Sequence, residues 1–176
     1  MITPLVHLTL PEHFDEDGND EARHFAPIIL FLPGLIEVNK WHIRRSIRRA
    51  QKGIAPPLPP LYESGVYYKE DPPGEENWKD VPAVLKDGHG DCDRLVAWRV
   101  AELQVAGIDA EPIIKWQQVP KDVMISLGHP SHMVPENGIS MVHVCVGWPG
   151  WRGGDPSLVE DPSKILGMGG EYTSGV

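Results

Sequence analysis

Hydrophobic and polar positions recur at helical spacing in two long stretches of this chain. Residues 92–106 place leucine, valine and alanine every three or four positions, and Gly107 follows as a C-terminal stop, which predicts a helix. Residues 34–52 carry apolar side chains on one side and basic side chains on the other, which predicts an amphipathic helix. Its predicted apolar face comprises Leu35, Ile36, Val38, Trp41, Ile43 and Ile47.

Shorter apolar runs in the second half predict β-strands. Residues 108–118 form one run, and residues 139–148 form a stronger one that reads Ile-Ser-Met-Val-His-Val-Cys-Val-Gly-Trp. A glycine-rich turn should return the chain to a short strand at 157–160. The smaller predicted elements are a strand at 66–68, a helix at 81–85 and a long loop at 119–138.

The first third of the chain is less regular. Residues 5–10 alternate as a strand does, six acidic residues follow between positions 12 and 21, and residues 28–32 suit either a buried strand or the lead-in to a helix. The prolines of residues 56–60 predict an extended connector. The predicted divisions are an N-terminal arm with the amphipathic helix (1–55), a core (56–168) and a tail (169–176).

Composition narrows the fold class. Eighteen glycines and 18 prolines among 176 residues predict many turns and disfavour a helical bundle. No apolar run approaches the ~18 residues that a membrane-spanning helix needs. With helices and strands both predicted and no internal repeat, we expect a single α+β domain.

The net charge indicates which partners to expect, and the first ten residues indicate the location. Sixteen basic residues against 25 acidic ones give a net charge of −9, which disfavours a general nucleic-acid binder. We interpret the basic face of the 34–52 helix as solvated surface, or as a partner for the acidic segment before it. Residues 1–10 lack the features of a secretory signal, so a cytoplasmic location with two reduced cysteines is expected.

Cys92 follows the turn Gly88-His89-Gly90-Asp91 and opens the predicted helix. Unpaired N–H groups and the helix dipole at such a position favour a thiolate, the nucleophilic form of cysteine. The backbone N–H of Cys92 is also placed to donate to the oxyanion that forms when a thiolate attacks an acyl carbon. The alternative is a small buried residue at a helix start.

Two further residues complete a candidate triad. His143 lies in the middle of a predicted strand. It is either a core histidine or a general base for the thiol. Asp161 ends the strand that should return beside it, where a carboxylate can orient the imidazole. Asp155 begins the same Asp-Pro-Ser tripeptide, but it falls within the glycine-rich turn, so Asp161 is preferred.

These elements, in the order Cys, His, Asp, resemble the transglutaminase-like superfamily, and within it the bacterial transglutaminase-like cysteine proteases. The resemblance covers about residues 60–168 and implies a papain-like α+β core that performs acyl transfer through a thioester. Some proteases of this group bind calcium through acids flanking the cysteine, which correspond to Asp91 and Asp93. The matching motifs are Trp78-x-x-Val81-Pro82-x-x-Leu85, Gly88-x-Gly90-Asp91-Cys92-Asp93, Gly107-Ile108, His143 and Asp161-Pro162-Ser163.

Other side chains leave alternatives open. A second oxyanion donor could be Trp78, Asn77 or His89, although Trp78 also suits a core position. His143 and Cys145 share a strand face, so together with Cys92 they could hold zinc, with His129-x-x-His132 in the loop before them. No CxxC or HExxH spacing accompanies them, so no metal is expected.

The sequence therefore predicts a thiol-dependent hydrolase, a cysteine peptidase or amidase acting on a protein or peptide substrate, with no required cofactor. One alternative is cross-linking or deamidation of protein glutamine. Another is a structural or interaction component of a larger assembly, because chains of this kind and size also resemble members of phage-type gene sets and virion particles.

Overall fold

The protein is a mixed α+β structure, as predicted. The computed structural model describes residues 19–71, 77–126, 131–132, 134, 136–151 and 155–168. The first half contains α1 (Asn19–Gln51), a 3-10 helix (Leu61–Glu63), β1 (Tyr67–Tyr68), α2 (Val81–Asp87), β2 (His89–Gly90) and α3 (Cys92–Val105). The second half contains β3 (Glu111–Val119), α4 (Lys121–Ser126), β4 (Ile139–Gly147), a 3-10 helix (Pro156–Leu158), β5 (Val159–Glu160) and α5 (Pro162–Ile165).

Two small sheets flank the central helix α3. The larger has the order β3-β4-β5 and is antiparallel throughout, with Lys115 opposite His143 and Val146 opposite Glu160. The smaller pairs β1 and β2 in parallel over two residues each. The predicted strands at 66–68, 108–118 and 139–148 are thereby confirmed within a few residues at their ends. The predicted strand at 157–160 is only half correct, because residues 156–158 form a 3-10 helix and the strand is Val159–Glu160.

Helix α3 is buried on most of its surface, including Leu95, Val96 and Trp98. Its start is capped by the Asp91 side chain, which accepts from the backbone N–H of Arg94. Gly107, at φ 86°, follows its end in the left-handed conformation that favours glycine. The prediction of this helix is confirmed, and its capped start holds Cys92 in a defined place.

Helix α1 is longer than predicted. It begins at Asn19 rather than at residue 34, so residues 28–32 are helical and the strand alternative is wrong. Ile28, Leu32 and Ile36 recur every four residues and join Val96 and Val100 of α3 in one buried cluster. Tertiary burial of this stripe explains why the helix continues through Pro33, which lacks a backbone N–H.

The predicted apolar face of α1 is partly wrong. Val38 is 45% exposed and Trp41 50% exposed, and the guanidinium of Arg45 stacks over the Trp41 ring. The buried position between them is polar: Asn39 accepts a hydrogen bond from the backbone N–H of Val81 through Oδ1. A side-chain amide can therefore replace an apolar contact where it joins α1 to the start of α2.

We expect Leu32→Ala to lower the free energy of unfolding by about 2–5 kcal/mol, because it removes a fully buried side chain between α1 and α3. Leu30→Ala, at a position 71% exposed on the same helix, is the matched control and should change it by well under 1 kcal/mol. Urea unfolding of both variants measures the difference. Equal effects would show that α1 does not pack on α3.

The predicted loop at 119–138 contains a helix, α4, with Met124 buried against Val119 and Val134. The alternating stretch at 5–10, residues 12–18 of the acidic segment and the tail at 169–176 lie outside the described residues. Within the described ranges, no helix combines the length and the apolar character needed to cross a bilayer. The basic residues at the end of α1 are exposed, as the solvated interpretation expects; they are Arg44, Arg45, Arg48, Arg49 and Lys52.

Candidate active site

Strand β4 directs alternate side chains to opposite faces of the larger sheet. Val144 and Val146 belong to the cluster formed with α1 and α3. Cys145 belongs to a different cluster, with Ile113 and Trp151. By the same alternation His143 lies on the face of Cys145.

Asp161 directly follows β5 and caps α5. Its Oδ1 accepts from the backbone N–H of Lys164 at 3.2 Å, and its Oδ2 lies 2.9 Å from Nε2 of His143. Burial acts to raise the pKa of Asp161, but the hydrogen bonds from His143 and Lys164 outweigh it and hold that pKa below its usual value. An ionised carboxylate thus orients the imidazole and leaves Nδ1 as the ring nitrogen available to a thiol.

Glu160 anchors the strand that carries Asp161. Its carboxylate accepts from Nε of Arg99 at 2.6 Å, from Nε1 of Trp148 at 3.0 Å and from the hydroxyl of Tyr62. Burial and this carboxylate raise the pKa of Tyr62 well above its usual value. Sequence reasoning missed this network; the only signal was an acid beside the predicted catalytic one.

Cys92 lies at the start of α3 and is half-buried. Its thiol is in hydrogen-bonding reach of the backbone N–H of Val144, the residue after His143. Burial raises the pKa of Cys92, and the carboxylates of Asp93 and Asp91 raise it further against the opposing effect of that N–H. The resting group is therefore a thiol. The expected helix-terminus stabilisation of a thiolate is outweighed by desolvation and two adjacent acids.

His143 and Asp161 also have a cysteine beside them, and it is Cys145. One donor atom from each of these three residues lies within 4.8 Å of the others, and no other such group of three occurs in the part of the chain that the structure describes. Cys145 is only 1% exposed, and burial together with Asp161 raises its pKa to about 12. The structure thus assembles a Cys-His-Asp group compatible with a catalytic triad, with Cys92 reaching the same strand from α3.

The structure gives the contacts of most of the other predicted residues. Asp155 caps the second 3-10 helix, where its carboxylate accepts from the backbone N–H and the hydroxyl of Ser157. Trp78 is half-buried against the main cluster, with its ring 5.7 Å from that of Phe31. His89 stacks edge-on against Tyr67. The backbone N–H of Asn77 donates to Asp71, His132 is exposed, and His129 lies outside the described residues.

The two residues named for calcium, Asp91 and Asp93, lie next to a buried arginine. Arg94 is fully buried, and its Nη2 lies 2.7 Å from both Asp71 and Asp91. Asp93 is also buried, and burial with the neighbouring Asp91 raises its pKa to about 9. The Arg94 guanidinium thus supplies the positive charge that these carboxylates need, and Asp93 is neutral at pH 7.

We expect Asp93→Asn to stabilise the protein increasingly as pH rises. A carboxyl with a raised folded-state pKa keeps its proton only when folded, so its contribution to stability falls between about pH 4 and about pH 9. Asparagine mimics the neutral acid and removes that loss. Urea unfolding at pH 5, 6, 7 and 8 should show the gap over wild type widening by up to about 1.4 kcal/mol per pH unit. A gap independent of pH contradicts a neutral Asp93.

No family model, curated protein or solved structure matches this chain. The site is consequently interpreted from its own geometry: an oriented His-Asp pair with Cys145 beside it on β4 and Cys92 at the start of α3.

Proposed function

We propose that the protein is a thiol-dependent acyl hydrolase, a cysteine peptidase or amidase with Cys92 as nucleophile, His143 as base and Asp161 as orienting acid. The observation that carries the proposal is the 2.9 Å contact between Nε2 of His143 and Oδ2 of Asp161. It leaves the opposite ring nitrogen for a thiol proton. The papain-like arrangement, with a nucleophile helix against an antiparallel sheet, belongs to the same proposal.

Cys92 is the preferred nucleophile because of its surroundings. It is half-buried, whereas Cys145 is almost fully covered. Its thiol is in hydrogen-bonding reach of the backbone N–H of Val144, the residue that follows His143 in β4. Cys92 also lies at a helix start, where the first backbone N–H groups have no partner within the helix and can donate to an oxyanion.

The reaction proceeds through a thioester. His143 takes the proton of the Cys92 thiol as the sulfur bonds to the acyl carbon, and then gives that proton to the departing amine as the carbon–nitrogen bond breaks. Water next attacks the thioester with His143 again as base, and cleavage of the carbon–sulfur bond restores the thiol. Because the resting group is a thiol, proton transfer accompanies the attack rather than preceding it.

Alkylation by iodoacetamide, located by mass spectrometry, tests the proposal. Native protein should be labelled at Cys92 well before Cys145, since Cys145 is 1% exposed. His143→Ala should slow labelling of Cys92 at least tenfold, because the base that accepts its proton is gone. His132→Ala, which removes an exposed histidine, is the matched control and should not slow it.

A Cys92 that is inert in the folded protein, or that reacts equally fast with and without His143, overturns the proposal. Either result favours the scaffold or interaction role within an assembly, for which an unreactive thiol suffices. Circular dichroism of the His143→Ala variant establishes that the comparison is made on folded protein.

A further inference from the structure

The group formed by His143, Cys145 and Asp161 has a use that the acyl-transfer chemistry does not require. We propose that these three side chains bind a thiophilic divalent cation, with Zn²⁺ as the physiological candidate, in place of the proton shared by His143 and Asp161. Cys145 has no assigned step in the reaction, yet it lies on the face of β4 that the imidazole occupies. A thiol there supplies a ligand that hydrolysis does not need.

The spacing of the three donor atoms suits a single ion. They lie within 4.8 Å of one another, and Nε2 of His143 is 2.9 Å from Oδ2 of Asp161. Zinc bonds to nitrogen and oxygen at about 2.0–2.2 Å and to sulfur at about 2.3 Å, which places tetrahedral ligand atoms roughly 3.3–3.8 Å apart. On metal binding the distance between the nitrogen and the oxygen therefore increases by a few tenths of an ångström, and the sulfur moves toward them by at most about 1.5 Å.

The backbone is already arranged to hold these donors. His143 and Cys145 are two residues apart on β4, whose whole length pairs with β3. Asp161 is fixed by its cap on α5 and by Glu160 before it. The Oδ1 atom of Asp161 makes the cap, and Oδ2 faces the histidine, so metal binding leaves the helix cap in place.

The donor set selects the metal. A thiolate, an imidazole and a carboxylate suit zinc, whereas magnesium and calcium prefer oxygen ligands alone. The half-buried His143 and Asp161 leave one side of the group accessible to solvent, from which an ion can enter and water can complete a fourth position. On binding, the Cys145 thiol releases a proton to solvent, the proton of the neutral His143 ring moves from Nε2 to Nδ1 so that Nε2 can bond to the ion, and no oxidation is involved.

Metal binding and catalysis exclude each other at this site. With Nε2 bonded to the ion, His143 no longer donates to Asp161 and carries a positive charge next to its ring, so it cannot accept the proton of Cys92. This consequence, inhibition by Zn²⁺, rests on the proposed function; the binding of the metal does not.

Titration with Co²⁺ tests the binding directly, because a thiolate bound to Co²⁺ produces a charge-transfer absorption that an oxygen and nitrogen site lacks. The chain has only two cysteines, so each can be removed in turn. We expect wild type and Cys92→Ala to bind one Co²⁺ with this absorption and to lose it on addition of Zn²⁺. Cys145→Ala should lack the absorption and bind Zn²⁺ at least tenfold more weakly.

Asp161→Asn serves as a second variant, because it keeps the shape of a ligand while removing its charge, and circular dichroism confirms the fold of both. No charge-transfer absorption in wild type, its loss in Cys92→Ala, or wild-type Zn²⁺ affinity in Asp161→Asn overturns the proposal. The two proposals fail separately. If the cobalt absorption appears but the alkylation rate of Cys92 does not depend on His143, only the hydrolase proposal is overturned. If the alkylation rate depends on His143 but no cobalt absorption appears, only the metal-site proposal is overturned.

Discussion

Replacing Cys92 with alanine is expected to lower the rate of peptide or amide hydrolysis by at least about a thousandfold. The reason is that the thioester route needs a sulfur nucleophile, and water attacking the bound substrate lacks one. A peptide library made by digesting total cell protein offers many sequences at once, and mass spectrometry of the cleaved peptides measures the loss. Wild-type protein prepared in the same way sets the reference rate.

Cys145→Ala is the comparison that identifies the nucleophile. Its effect should be far smaller than that of Cys92→Ala, because Cys145 is 1% exposed and its pKa is raised to about 12. The reverse order of effects would assign the attack to Cys145, the cysteine nearest the His143-Asp161 pair. Equal rates for wild type and both variants would exclude thiol catalysis altogether.

Arg94→Ala is expected to destabilise the protein by about 3–5 kcal/mol, because removal of one partner leaves buried carboxylates without their counter-charge. Arg94 is fully buried and pairs with Asp71 and Asp91 at 2.7 Å each. It thus links the segment before α2 to the first turn of α3, which carries Cys92. Urea unfolding gives the free energy, and near-ultraviolet circular dichroism reports the surrounding packing.

An exposed ion pair supplies the control for Arg94. Lys79 lies 2.8 Å from Asp87 with about a third of each side chain exposed, so Lys79→Ala should leave the unfolding midpoint close to that of wild type. A similarly small effect for Arg94→Ala would mean that the three acids around it bind protons or another cation in its absence.

Helix α3 and strand β4 show how far local pattern can predict this fold. The apolar residues of α3 recur at helical spacing between an aspartate cap and a glycine stop, and β4 is a nine-residue run dominated by strand-forming side chains. Both elements occur within two residues of their predicted bounds. In each, local preference and tertiary burial favour the same structure, which is why a single sequence suffices.

Helix α1 shows where local pattern misleads. Pro33 and Gly34 are both poor helix residues, and the predicted helix began only at residue 34. In the structure Leu32 and Ile36 are buried against α3, and this packing keeps the backbone helical across the pair. The same packing buries Asn39 and exposes Trp41. A simple division of the helix into an apolar and a basic face predicts the opposite for both residues.

The sequence alone identifies the residues that can perform the chemistry and the local elements that carry them. These are a cysteine at a helix start, a histidine in a strand and an aspartate after a returning strand. Which of these meet was decided by the tertiary structure, because strand pairing and α5 capping bring His143 to Asp161 across a separation of 18 residues. The protonation of the thiols was decided there as well. Burial and neighbouring carboxylates raise the pKa of both cysteines, and these are properties of the packed surroundings rather than of any short segment.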